Sequence, residues 1–127
     1  MEKIIELDFQ LLGTDMSPEQ ISKTLGIKPD VELERGQRNA QLDLPRQNIW
    51  SVKSQTQSIE ITDHWIDLKK ALESSKDLIK KIARTGQAKM TIVIASQHRL
   101  PSIQIPADMS EFAGFVGAMI DVDHLQH

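Results

Sequence analysis

Near the N-terminus, Ile5, Leu7, Phe9 and Leu11 alternate with Glu6, Asp8 and Gln10. A repeat of two is the side-chain period of a β-strand, so this segment has one apolar face and one polar face. A strand of this kind buries one side and leaves the other in water, which is the signature of a largely antiparallel sheet with one face covered.

The segments that follow supply the cover. Gly13-Thr14-Asp15 makes a turn, and Ser17-Pro18-Glu19-Gln20 opens a helix, with the Ser17 hydroxyl placed to accept from the backbone N–H of Gln20. Met16 and Ile21 stand where a hydrophobic staple sits, and Ile21 and Leu25 share one face. Gly26 ends the helix in a left-handed cap with Ile27 folding back, and Pro29 prevents continuation. Val31 and Leu33 predict a second strand that stops at Gly36. From Gln37 to Asn48 the chain is rich in glutamine and asparagine and contains Pro45, which predicts a loop. Ile49, Trp50 and Val52 resume the strand pattern.

Thr62 or Asp63 caps a predicted helix whose stripe is Trp65, Leu68 and Leu72. Ser74-Ser75 interrupts that stripe; Leu78, Ile79 and Ile82 restart it, and Gly86 closes the segment behind Lys80, Lys81 and Arg84. Met90, Ile92 and Ile94 mark the most buried strand, and His98-Arg99-Leu100-Pro101 turns the chain into a predicted edge strand containing Ile103 and Ile105. Asp108-Met109-Ser110-Glu111 reads as a capping box for a helix with Phe112, Phe115, Val116 and Met119 inside. Gly114 and Gly117 weaken this helix, a cost expected where it approaches another backbone closely. Ile120 to Asp123 forms a last short strand.

This order predicts an α+β fold: a two-layer sandwich of a mostly antiparallel sheet with helices on one face, built as a ferredoxin-like β-α-β-β-α-β core plus a C-terminal β-α-β extension. At 127 residues the chain fits a single domain, 1–127.

Composition removes several function classes. Fifteen Lys and Arg against eighteen Asp and Glu give a net charge of −3, the wrong sign for a protein that lives by phosphate contacts, so no nucleic-acid partner is expected. With no cysteine, thiolate catalysis, disulfides and Cys-ligated metal sites are excluded. The longest run without a charged or strongly polar residue, 112–120, is far short of the roughly 20 residues of a membrane span, and MEKIIELDF lacks a signal-peptide core. A cytoplasmic protein with no membrane association and no cofactor is the expectation. No nucleophile elbow, dinucleotide-binding, phosphate-loop or zinc-protease motif is present, so catalysis has no sequence support.

Three groups of residues remain as candidates. Arg35, Arg38 and Arg46 frame the basic loop, and their guanidinium forks suit a phosphate or carboxylate, with Trp50 as an aromatic wall; a lone tryptophan in an alternating strand is, however, more often core. Glu6, Asp8, Glu32 and Glu34 project away from the apolar side and offer an acidic interaction face to a basic protein, although Lys53 and Lys89 are expected to flank the first strand and neutralise much of it, as on an ordinary solvated face. At the C-terminus, Asp121, Asp123 and His124 are weak metal candidates; no metal is expected there. His64, beside Trp65, reads as a surface histidine near a buried tryptophan rather than a catalytic base.

The run SPEQISKTLGIKPD after an alternating strand, then Gly36, the isolated Trp50, the Trp65 helix with its leucines and the closing IDVD together resemble the bacterial domain of unknown function family numbered 4279. The most specific part is Leu25-Gly26-Ile27 followed by Pro29. The family tends to end in an aromatic after its final acidic strand, where this chain has His124-Leu125. The resemblance implies a bacterial cytoplasmic domain and brings no established activity, cofactor or catalytic residue. The reading is therefore a non-catalytic protein-binding domain, one form of which is a neutralising partner of an effector. The alternative is a small-anion-binding or hydrolytic protein built on Arg35, Arg38 and Trp50. A homodimer through the Ile103–Ile105 edge is a third arrangement.

Overall fold

The computed structural model describes residues 4–36, 47–95 and 102–125. Its element order is β1 (Ile5–Leu12), α1 (Pro18–Leu25), β2 (Val31–Leu33), β3 (Ile49–Lys53), α2 (Ile61–Leu72), a 3-10 turn (Glu73–Ser75), α3 (Lys76–Ala83), β4 (Gln87–Ile94), α4 (Ala107–Val116) and β5 (Ala118–His124). The five strands form one mixed sheet in the order β2-β3-β1-β4-β5. All pairings are antiparallel except β4 with β5, which α4 connects in parallel. The protein is thus α+β, with β1 at the centre of the sheet.

Register assigns each side chain to a face. Phe9 stands between Val52 of β3 and Met90 of β4, and Leu11 between Trp50 and Ala88. Ile5, Leu7, Phe9, Leu11, Trp50, Met90 and Ile92 on this face are all buried. The helices bring their own stripes to them: Phe112 of α4 meets the Phe9 ring edge-on at 5.8 Å and the Trp65 ring at 5.2 Å. Each large side chain so buried contributes about 2–3 kcal/mol to folding. In α1 the Ser17 hydroxyl accepts from the Gln20 N–H at 3.2 Å, and Gly26 takes the left-handed conformation with φ +68°, as its position after Leu25 requires.

Several local expectations are corrected. Residues 102–106 form no strand, and Ile105 is partly exposed. The edge of β4 beside which Ile103–Ile105 is predicted to lie is taken by β5, and the segment pairs with no strand of the sheet. The Asp108 capping box does not form: α4 begins at Ala107 behind Pro106 without a side-chain cap, and the Asp108 carboxylate turns towards Trp65 and Lys69. Helix α2 likewise starts at Ile61, ahead of Thr62 and Asp63, and Asp63 instead accepts from the Ser58 hydroxyl at 2.6 Å. Met119 lies in β5 and is exposed, because Gly117 ends α4 in the left-handed region at φ +76°. A Cβ on Gly114 would meet nothing within 4 Å, so close packing does not explain it. The close approach occurs at Gly86, where a Cβ would lie 2.2 Å from the Leu12 carbonyl oxygen.

The loop expected between Gly36 and Asn48 falls outside the described residues over 37–46, as does the turn His98-Arg99-Leu100-Pro101.

Candidate functional site

The second face of the sheet carries the polar partners of the same register. Across it, Lys53, Asp8, Thr91 and Asp121 form one row from β3 to β5, with Ser51, Gln10, Lys89 and Met119 beside it. Glu6, Val93 and Asp123 make a third row. Because β1 is the middle strand, Asp8 sits at the centre of this face and is half-buried by its neighbours.

Asp8 is the unusual group. One carboxylate oxygen accepts from the Gln10 amide at 3.1 Å; the other, Oδ1, is buried and has no hydrogen-bond partner. Burial pushes its pKa up from 3.8 to about 6, outweighing the Gln10 hydrogen bond and the Lys53 charge, while Glu6 and Asp30 add to the rise. The Gln10 amide also donates to Thr91 at 3.3 Å, tying β1 to β4, and Lys89 pairs with Asp121 at 3.5 Å. A carboxyl group that changes charge near neutrality at the middle of a polar surface can exchange a proton or meet an incoming donor.

A second polar arrangement lies inside the core. Ser54 Oγ is 2.6 Å from His64 Nδ1, His64 Nε2 is 2.7 Å from the Ser58 carbonyl oxygen, and the Leu7 N–H donates to Ser54 Oγ at 2.9 Å. The Ser58 carbonyl can only accept, so the imidazole carries its proton on Nε2 and Nδ1 accepts from the serine hydroxyl. This corrects the placement of His64 at the surface: it and Ser54 have no exposed area. The pair has the atoms of a serine–base couple, but no substrate reaches it, and its hydrogen bonds join β1 and the end of β3 to the start of α2. The sequence contains the signal. His64 falls three residues after Ile61 and four before Leu68, on the buried stripe of α2, and Ser54 continues the inward alternation of Trp50 and Val52.

The sequence candidates among the described residues fall at separate places in the fold. Trp50 is fully buried, its indole N–H donating to Ser22 at 3.0 Å, so it presents no ring to a ligand. Arg35 is exposed, with its backbone N–H held by the Asn48 side chain, while Arg38 and Arg46 lie outside the described residues. Glu6 and Asp8 share the polar face, but Glu32 does not. It pairs with Trp50 in the ladder and accepts from Ser22 of α1 at 2.7 Å, and Glu34 lines a shallow cleft with Pro18, Glu19 and Glu32. In β2, a three-residue edge strand, Val31 and Leu33 turn instead to the Ser51 and Ile49 side. Asp121 and Asp123 share one face of β5, with His124 on the other, and no group of three potential metal ligands occurs among the described residues. No helix is long and apolar enough to cross a membrane among the same residues.

These observations define a small α+β domain with a five-stranded mixed sheet and a polar sheet face centred on one half-buried carboxylate. The chain belongs to the family described as domain of unknown function (DUF4279), whose model matches residues 3–127. No curated protein and no solved structure matches it.

Proposed function

We propose that the chain is a non-catalytic binding domain that engages a protein partner through the polar face of its sheet. The reading takes the helices to roof only the apolar side, in a ferredoxin-like arrangement of β1 to β4, so that the polar rows stay accessible. The observation that carries it is Asp8, a carboxylate at the centre of that face with one buried oxygen lacking a partner. An orphaned acceptor of this kind costs stability on its own account, which sets Asp8 apart from the paired groups around it. The mixed charges of Lys53, Asp8, Lys89 and Asp121 favour recognition by complementary pairs rather than by bulk attraction.

The test is affinity capture from bacterial lysate with three baits: the unaltered chain, a Lys53→Glu/Lys89→Glu variant of the polar face, and a Lys70→Glu variant of α2, each confirmed folded by thermal melting. The reading requires a saturable partner that the first and third baits hold and the second loses. Equal capture by all three, loss only on the helical bait, or no saturable partner at all would each reject it.

A further inference from the structure

The sheet has two outer edges, and they are unlike. β2 contributes only three residues, a length that gives an incoming strand little to pair with. β5 contributes seven, Ala118–His124, with no proline or lysine, and its charged side chains are the acidic Asp121 and Asp123. No strand lies beyond it among the described residues.

Its backbone phase is set by β4. The Leu125 N–H donates to the Ile94 carbonyl at 2.9 Å, and one residue of a strand points its N–H and C=O to the same side. Met119, Asp121 and Asp123 therefore direct their backbone groups to β4, and Ile120, Val122 and His124 direct theirs outward. Side chains on both faces are ready for cover: Met119 is 57% and Val122 46% exposed. Asp121 and Asp123 stand together on the polar face, with Lys89 3.5 Å from Asp121.

We propose that the outer edge of β5 is a β-augmentation site for an extended segment of a partner protein with basic residues at alternate positions. The proposal deepens the reading of the chain as a binding domain by naming the partner's chemistry and the sheet edge at which the Asp8 row ends in Asp121. Backbone pairing to Ile120, Val122 and His124 supplies affinity independent of sequence, and the side chains choose the occupant. Basic residues on one side of the incoming strand lie against Asp121 and Asp123, and apolar ones on its other side cover Ile120 and Val122. Charge decides against a second copy of the chain, since pairing two β5 strands gathers four aspartates on one face.

The test uses the full chain, isotopically labelled, with a nine-residue peptide of alternating lysine and valine as probe. Amide exchange at Ile120, Val122 and His124 should slow by at least about tenfold on saturation, with the inward amides of Asp121 and Asp123 little changed. Affinity should fall with salt, drop about fivefold in an Asp121→Asn/Asp123→Asn variant, and vanish when lysine is replaced by glutamate or when alternate peptide nitrogens are methylated. Absence of protection at the outward amides, or equal binding of the glutamate peptide, overturns the proposal. Perturbation confined to residues around Asp8 and Lys53 overturns it while leaving the polar-face reading standing. Concentration-dependent dimerisation that protects the same three amides without peptide assigns the edge to a second copy and also overturns it.

Discussion

Ser54 Oγ and His64 Nδ1 lie 2.6 Å apart with neither residue exposed, so this reactive-looking pair is part of the protein's framework. Removing one member strands the other in the core. Ser54→Ala leaves the Leu7 N–H and His64 Nδ1 without their hydroxyl, and His64→Ala takes the imidazole donor from the Ser58 carbonyl and opens a cavity. Each should cost about 1–3 kcal/mol in urea unfolding. The double variant should cost less than the sum of the two, because the shared bond is lost only once. Independent, additive effects would show that the pair is not coupled.

Asp8 makes stability depend on pH with an unusual sign. Its folded pKa of about 6 is above the ordinary carboxylate value of 3.8, so between these limits the folded chain binds more protons than the unfolded chain. Stability is greatest with respect to this group below pH 4 and declines as the pH rises to about 6. The full difference is about 2–3 kcal/mol. Asp8→Asn keeps the shape and removes the charge, so its melting temperature near neutrality should exceed that of the parent and the decline between pH 4 and 6 should flatten. A variant whose pH profile superimposes on the parent's would show that Asp8 titrates normally.

Two glycines should respond to alanine in opposite directions. At Gly86 the added Cβ would lie 2.2 Å from the Leu12 carbonyl oxygen and 2.8 Å from the backbone of Gly13, neither of which is a side chain that can swing away. Gly86→Ala should destabilise by about 3 kcal/mol. At Gly114, within α4, the Cβ meets nothing within 4 Å, and Gly114→Ala should stabilise by up to about 1 kcal/mol through helix propensity. Thermal melts of the two single variants check both signs at once.

Asp108 joins α4 to α2 by accepting from the buried Trp65 indole N–H at 3.0 Å and from Lys69 at 2.9 Å. These bonds hold the Asp108 carboxyl below the usual carboxylate range, the Lys69 hydrogen bond contributing most. The lysine is well exposed and its ion pair adds little to stability; the indole donor is the group that needs a partner. Asp108→Asn, which keeps an acceptor for the indole, should leave the denaturant midpoint close to the parent's, whereas Asp108→Ala should lower it. Equal losses for the two would shift the weight to the lysine.

What could be read directly from the chain was whatever depends on neighbours a few residues apart. The Ser17 cap, the Gly26 left-handed end and the alternation of β1 all arise this way and are found as expected. His64 is legible too, since its spacing to Ile61 and Leu68 places it on the buried α2 stripe whatever its chemical type. Glu32 was not legible. Its strand alternates in either register, and only pairing with Trp50 turns the glutamate towards Ser22 and α1. The same holds for Ile103 and Ile105: an alternating segment becomes a strand only where it pairs with a neighbour, and the strand that pairs with this edge of β4 is β5.

The sequence by itself determined the helix ends at Ser17 and Gly26 and the apolar side of β1, because those choices are made by sterics and by hydrogen bonds over short separations. Tertiary structure alone decided that Ser54 meets His64, that Asp8 lies at the centre of a polar face with one oxygen unpartnered, and that β5 ends the sheet. Each of these depends on strand order and register between residues far apart in the chain, where the energies of alternative pairings are settled by the whole core and by no single segment.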